Sequence, residues 1–206
     1  MRECIILAPG ANGTELIRSM AKYGRNSLGM RIMSPTELAK NALMKSGVAL
    51  TREFLPATEE ASVIYAFLKT IPYFNAASFA DAEQLAIALR TLRGMVTKNE
   101  KDGIQAGLSD GEFPEKNEAI FQVYLKYIEN LAAAGLIDGI GMIREALAEA
   151  SAIDADFLIL KEFPLTNLEK AFLRHLSGGT ERETGLPELF QKPNKALQDV
   201  TFTEGY

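Results

Sequence analysis

Short apolar runs alternate with amphipathic stretches at both ends of the chain, whereas the middle carries helical periodicity alone. Residues Glu3–Ala8 form a continuous apolar run closed by Pro9-Gly10, which predicts a short buried strand. A helix is expected from Gly13 to Tyr23, with Leu16, Ile17 and Met20 as its stripe and Gly24 as its stop. Leu28–Met33 predicts a second strand. In Ser34-Pro35-Thr36-Glu37, serine stands at the N-cap, proline at the first helical position and glutamate at the third, so a helix opens here. It carries Leu38, Ala39, Ala42 and Leu43 and ends at Gly47. Strand, helix, strand, helix with short turns is the order of a parallel α/β sheet.

The middle changes character. Thr58 is expected to cap a helix carrying Val63, Ile64, Phe67 and Leu68, with Pro72 just beyond it. Phe79–Val96 predicts a second helix, with Leu85, Ala86, Leu89 and Leu92 at helical spacing. Residues 97–115 are polar and hold Gly103, Gly107 and Gly111, which predicts a flexible connection. Asn117–Ala134 is a long amphipathic helix closed by Gly135, and Asp138 caps another through Ala150. An all-helical block at 51–150 inside an α/β chain reads as an inserted subdomain. Sheet order then returns with the apolar strand Asp156–Leu160 and a capping box of Thr166 and Glu169, which opens a helix stopped by Ser177-Gly178-Gly179. From Thr180 onward the chain is turn-rich, with one strand candidate near Val200-Thr201-Phe202.

Composition narrows the class. The 206 residues include 22 Lys+Arg against 27 Asp+Glu, and 47% are apolar, as in an ordinary folded domain. The net charge of −5 argues against coating nucleic acid by bulk charge but leaves room for a local basic groove. The single cysteine, Cys4, excludes a disulfide scaffold and a cysteine-based zinc site. The start of the chain does not have the form of a signal peptide, and no apolar run reaches membrane-spanning length, so a cytoplasmic location is expected.

The candidate chemistry lies at strand ends. An acidic residue just past an apolar strand is where P-loop ATPases hold magnesium, because strand ends of parallel sheets face the ligand crevice. Here Phe157–Leu160 is followed by Lys161-Glu162. A lysine ammonium cannot ligate Mg²⁺ and repels it. Glu162 remains as a lone carboxylate, ordinarily a surface residue. The phosphate-cradling pattern Gly-x-x-x-x-Gly-Lys-Ser/Thr is absent from the sequence. The nearest segment, Pro9-Gly10-Ala11-Asn12-Gly13-Thr14, stands between strand and helix and offers backbone amides to a phosphate, yet lacks the lysine. A tight strand-to-helix turn is the simpler explanation of both glycines. Without that lysine and the aspartate, ATP hydrolysis is not expected, and neither a cofactor nor a metal is assigned. Arg18, Lys22, Arg25 and Arg31 cluster around the first helix, and Arg90 and Arg93 lie on the second inserted one. They suit phosphate contacts, although solvated helix faces give the same spacing. His175, the single histidine, stands near a helix C-terminus and suits capping or a surface role.

The stretch from Asp156 through Lys161-Glu162-Phe163-Pro164-Leu165-Thr166-Asn167 to Leu176 resembles helicase motif II of the UvrD/Rep-type superfamily, Asp-Glu-Phe-Gln-Asp-Thr-Asn after a strand. Lys161 replaces the aspartate, and Pro164 stands in the glutamine's place. Phe121–Ala150 is similar to the inserted 1B stretch that leads to that motif. Ile5–Pro9 with Glu15–Arg18 is similar to the motif Ia strand and helix, and Arg31–Ala39 fills the slot of the next strand and its DNA-contacting turn. The nearest relatives implied are AddB-type subunits of bacterial helicase–nucleases, which carry a degenerate helicase half and a PD-(D/E)XK nuclease domain.

This resemblance implies a RecA-like (P-loop-derived) α/β domain of the 1A type at 1–50 plus 151–206, with a helical 1B-like insertion at 51–150. The expected function is that of a non-catalytic module in double-strand-break repair, guiding DNA or docking an AddA-type motor subunit. Gly10, Asn12, Gly13, Thr14, Ser34 and Thr36, with Arg18 and Arg31, are the expected DNA-backbone contacts, since helix N-termini present free amides to phosphates. The resemblance also implies that the chain is an N-terminal piece of a longer protein. Two alternatives stand beside this: a nucleotide-binding enzyme with an unorthodox site, and a purely structural domain.

Overall fold

A computed structural model describes residues 3–8, 13–22, 29–109 and 111–190. In chain order its elements begin with β1 (Glu3–Leu7), α1 (Gly13–Lys22), β2 (Met30–Met33), α2 (Pro35–Lys45), β3 (Glu53–Phe54), α3 (Glu60–Leu68), α4 (Phe79–Met95) and α5 (Glu100–Ser109). They continue with α6 (Pro114–Ala133), β4 (Leu136–Ile137), α7 (Gly139–Glu149), β5 (Ala155–Leu160), α8 (Asn167–Ser177), β6 (Arg182–Thr184) and α9 (Leu186–Phe190). The chain divides into two compact units. One comprises the described parts of Met1–Pro35, Asp154–Pro164 and Thr180–Tyr206; the other comprises Thr36–Ile153 and Leu165–Gly179.

The first unit is a four-stranded sheet in the order β2-β1-β5-β6, parallel throughout. Cys4 lies opposite Met30 on one side and Asp156 on the other, so strands about 150 residues apart in sequence share one sheet, as the reading of 51–150 as an insertion requires. Neighbouring side chains of a strand point to opposite faces, and Ile5 and Ile6 are both buried. This is why β1 reads as an unbroken apolar run instead of alternating. Ile6, Ala8 and Leu160 pack with Met20 from α1 and Leu189 from α9. Burial of each large side chain here is worth about 1.5–3 kcal/mol.

The second unit is helical. Its core joins Ile64 and Leu68 of α3, Leu89 of α4, Ile104 of α5, and Val123 and Tyr127 of α6. A two-stranded parallel ladder, β3 with β4, ties residues 53–54 to 136–137. Ser78 with Asp81 and Thr166 with Glu169 form capping boxes at α4 and α8, and Asp138 caps α7 by accepting from the Gly141 amide at 2.7 Å. Gly178 ends α8 at φ +64°, in the left-handed region where glycine meets no Cβ penalty. At Gly94 a Cβ would lie 2.9 Å from Thr166 Cγ2, so the missing side chain lets α4 approach the start of α8.

Three expectations fail for identifiable reasons. Residues 97–115 are no mere connection, because α5 forms within them. Ile104 is buried in the helical core, and a Cβ at Gly103 would meet Val96 Cγ1 at 2.5 Å. That glycine marks close packing, which in sequence looks the same as flexibility. Thr58 does not cap α3; the helix starts at Glu60, preceded by Glu59 without a side-chain cap. The turn-rich stretch after Thr180 supplies β6, an edge strand of Arg-Glu-Thr whose polar residues carry no strand pattern. The strand candidate at Val200–Phe202, the helix end at Tyr23-Gly24 and the strand start at Leu28 lie outside the described residues.

Candidate functional site

All four strands of the first unit end at one edge of the sheet, where ligands of parallel α/β folds bind. Leu7 is level with Met33 and Ile159, so Ala8 and Ser34 leave their strands level with Leu160, and Lys161 follows one residue further on. The Ala8 amide donates to Met33 O at 3.2 Å, which holds the first two strand exits side by side. Ser34 is half-buried at this edge, and Arg18 on α1 is exposed. Arg31 projects from β2 and pairs with Glu3 at 2.8 Å. Gly10 and Asn12 lie outside the described residues. Gly13 and Thr14 form the first turn of α1. Thr36 belongs to the helical unit, with its Oγ1 placed 3.0 Å from where a Cβ of Gly139 would stand, so it packs against the start of α7.

The position after β5 is built for the chain's own use. The Lys161 amide donates to Thr184 O at 3.0 Å, extending the β5–β6 ladder. Its exposed ammonium lies 3.9 Å from Glu188. Glu162 Oε1 accepts from the Leu186 amide at 2.9 Å, and Glu188 Oε2 accepts from the Gly185 amide at 3.2 Å. These two carboxylates occupy amides at the start of α9, where unpaired N–H groups would otherwise face solvent. Glu162 is thus a cap, a role its sequence distance of 24 from Leu186 conceals. Among the described residues, no three His, Cys, Asp or Glu side chains gather in a group able to hold a metal ion.

The two arginines of α4 are not a solvated phosphate-binding face. Arg93 is buried; its Nε donates to Glu100 at 2.6 Å and its Nη1 and Nη2 reach both oxygens of Asp138. Arg90 donates to the buried Glu60 at 2.7 Å. Tyr127 OH donates to Asp138 at 3.0 Å, and Arg144 pairs with Glu100 at 3.2 Å while donating to Arg93 O and Val96 O. Burial pushes the Asp138 carboxyl up, but the Arg93 guanidinium and the Gly141 and Tyr127 donors hold it below the usual carboxylate range. Burial raises Glu60, and Arg90 only partly offsets it. Tyr124 beside this group is pushed up to about 12, by burial first and then by Glu100. The network borders a cleft of about 620 Å³ also lined by Arg52, Glu145, Ile128 and Leu131. Because its charges are mutually paired, its first consequence is to fix α4, α5, α6 and α7 in register. His175 acts similarly within this unit, its Nε2 donating to Ala150 O at 2.7 Å.

Together these features define an α/β protein with a parallel four-stranded sheet and a separate helical unit. Among the described residues no helix is long and apolar enough to cross a membrane. No protein-family model matches the chain, and no curated protein is significantly similar to it.

Proposed function

We propose that the chain is a non-catalytic, helicase-like module with a RecA-like sheet, of the kind found in AddB-type helicase–nucleases, and that it guides DNA or docks a motor subunit of the AddA type. The observation that carries this reading is the exit of β5. Where a motor ATPase of this class sets a metal-binding aspartate, this chain has Lys161, and the neighbouring Glu162 caps α9. The arrangement of strand exits, with Ala8 and Ser34 side by side, is what a strand-end phosphate contact requires. Arg18 and, by exchanging its Glu3 partner for a phosphate, the exposed Arg31 supply the cations.

A salt titration of binding to a labelled duplex tests this. Contact with several phosphates gives affinity that falls steeply and log-linearly with salt, by about 0.9 per neutralised phosphate. Arg18→Ala with Arg31→Ala is expected to reduce that slope by about two. Absence of any binding at low salt would remove the DNA-guiding reading and leave docking to be tested with the partner subunit.

A further inference from the structure

The segment Ala61–Ala80 holds five of the chain's seventeen aromatic residues and none of its 27 acidic ones. Of those five only Phe67 is buried for the core; Tyr65 is 36% exposed, Tyr73 51% and Phe79 43%. Tyr65 and Phe79 meet edge to face with centroids 5.5 Å apart, and Tyr73 meets Phe74 the same way at 5.0 Å. Within these pairs Tyr65, Tyr73 and Phe79 all keep part of their surface exposed. Two lysines touch this segment, one of them at a ring. Lys69, one helical turn after Tyr65, places its ammonium 5.5 Å from that ring's centroid. Lys126 reaches across from α6 to donate to Thr70 Oγ1 at 2.9 Å. The first carboxylate along α4, Asp81, is turned back onto the Ser78 amide and hydroxyl.

From this we infer that the end of α3 and the start of α4 form a stacking surface for single-stranded nucleic acid. Bases are received on the exposed rings, and the backbone phosphates are met by Lys69 and Lys126. Sequence-tolerant single-strand binding combines aromatic side chains on which bases stack with positive charge along the backbone. The complementarity is local, because the chain as a whole is acidic. The surface consists of residues of the helical unit alone and is independent of the strand-end contacts proposed above.

The test is fluorescence anisotropy of the whole chain with labelled oligothymidylate and oligouridylate of about 12 nucleotides, beside a duplex of equal length. A single strand is expected to bind more tightly than the duplex, and the two single-strand arms tell DNA from RNA. Phe79→Ala and Tyr73→Ser are each expected to weaken binding at least about fivefold, Phe79→Trp to retain it, and Lys69→Glu with Lys126→Glu to flatten the salt dependence. Thermal melts establish that each variant is folded, and Tyr73, being half exposed, supplies a variant with little packing to lose. Unchanged single-strand affinity in folded Phe79→Ala and Tyr73→Ser overturns the inference, even if Arg18→Ala with Arg31→Ala abolishes duplex binding and so upholds the strand-end reading. The opposite pattern upholds the stacking surface and removes the strand-end contacts. A concentration-dependent dimer that Phe79→Ala dissolves, without oligonucleotide binding, makes this a self-association face and also overturns it.

Discussion

Arg93 and Asp138, 45 residues apart in sequence, join two nitrogens to two oxygens inside the helical unit, with both side chains almost fully buried. Removing one member of such a pair leaves an uncompensated buried charge, which destabilises by about 3–5 kcal/mol. Asp138 also caps α7 and accepts from Tyr127. Asp138→Ala is therefore expected to lose at least that much in urea unfolding. Asp138→Asn keeps acceptor capacity for the cap and loses only the charge. Arg93→Met combined with Asp138→Asn should cost less than the two single changes summed, because the charge left unpaired in one is absent from the other.

The same network sets opposite pH responses. Asp138 is held below its unfolded value of about 3.9, so its contribution is fully present above that value and is lost as pH falls through the folded one. Glu60 is raised by burial, so its ionised form opposes folding above the folded pKa, and this penalty is relieved as pH falls toward the unfolded value. Thermal melts across the acid range are expected to show wild type losing stability at low pH. In Asp138→Asn that limb flattens, and in Glu60→Gln the penalty near neutrality is gone while the low-pH limb remains. An identical acid limb in Asp138→Asn would assign the loss to other carboxylates.

Gly94 and Thr166 give a packing test. An alanine at 94 would press on Thr166 Cγ2, and overpacking of this kind typically costs about 1–3 kcal/mol. Thr166→Ser removes the methyl while keeping the hydroxyl that accepts from the Glu169 amide. Gly94→Ala is thus expected to be less damaging in the Thr166→Ser background, as read by denaturant midpoints. Equal damage in both would place the strain elsewhere.

What the sequence reveals follows how local the determining interaction is. The strands Glu3–Leu7 and Ala155–Leu160 and the box of Thr166 with Glu169 are legible because apolar runs and caps act within a few residues. The joining of those two strands is legible from the return of strand-then-helix order after a helical block, which reads as an insertion into one sheet. Arg93 is the opposite case. Nothing within a turn of it announces Asp138 or Glu100, so helical spacing alone suggests a solvated face. At the candidate site, Lys161 is legible from its place after a strand, whereas Glu162 as a cap depends on α9, a helix too short to carry a periodic signal. Tyr65, Tyr73 and Phe79 read in sequence as ordinary apolar positions, and only their exposure sets them apart.

The exit of β5 yields the last prediction. Ligation of magnesium by a strand-end carboxylate needs an acid that is close and not otherwise engaged. Lys161 places an ammonium there instead, and Glu162 accepts from Leu186 while Glu188 lies 3.9 Å from that ammonium. A bound ligand at 100 times its Kd adds about 2.7 kcal/mol of stability, which a melting curve of a domain this size resolves easily. ATP with Mg²⁺ at millimolar concentration is therefore expected to leave the Tm unchanged. Glu162→Ala, which frees the Leu186 amide, is expected to lower it modestly, since losing a helix cap costs about 0.5–2 kcal/mol. A clear rise in Tm with ATP and Mg²⁺ would mean that this edge holds a nucleotide by another route, and the non-catalytic reading would fall with it.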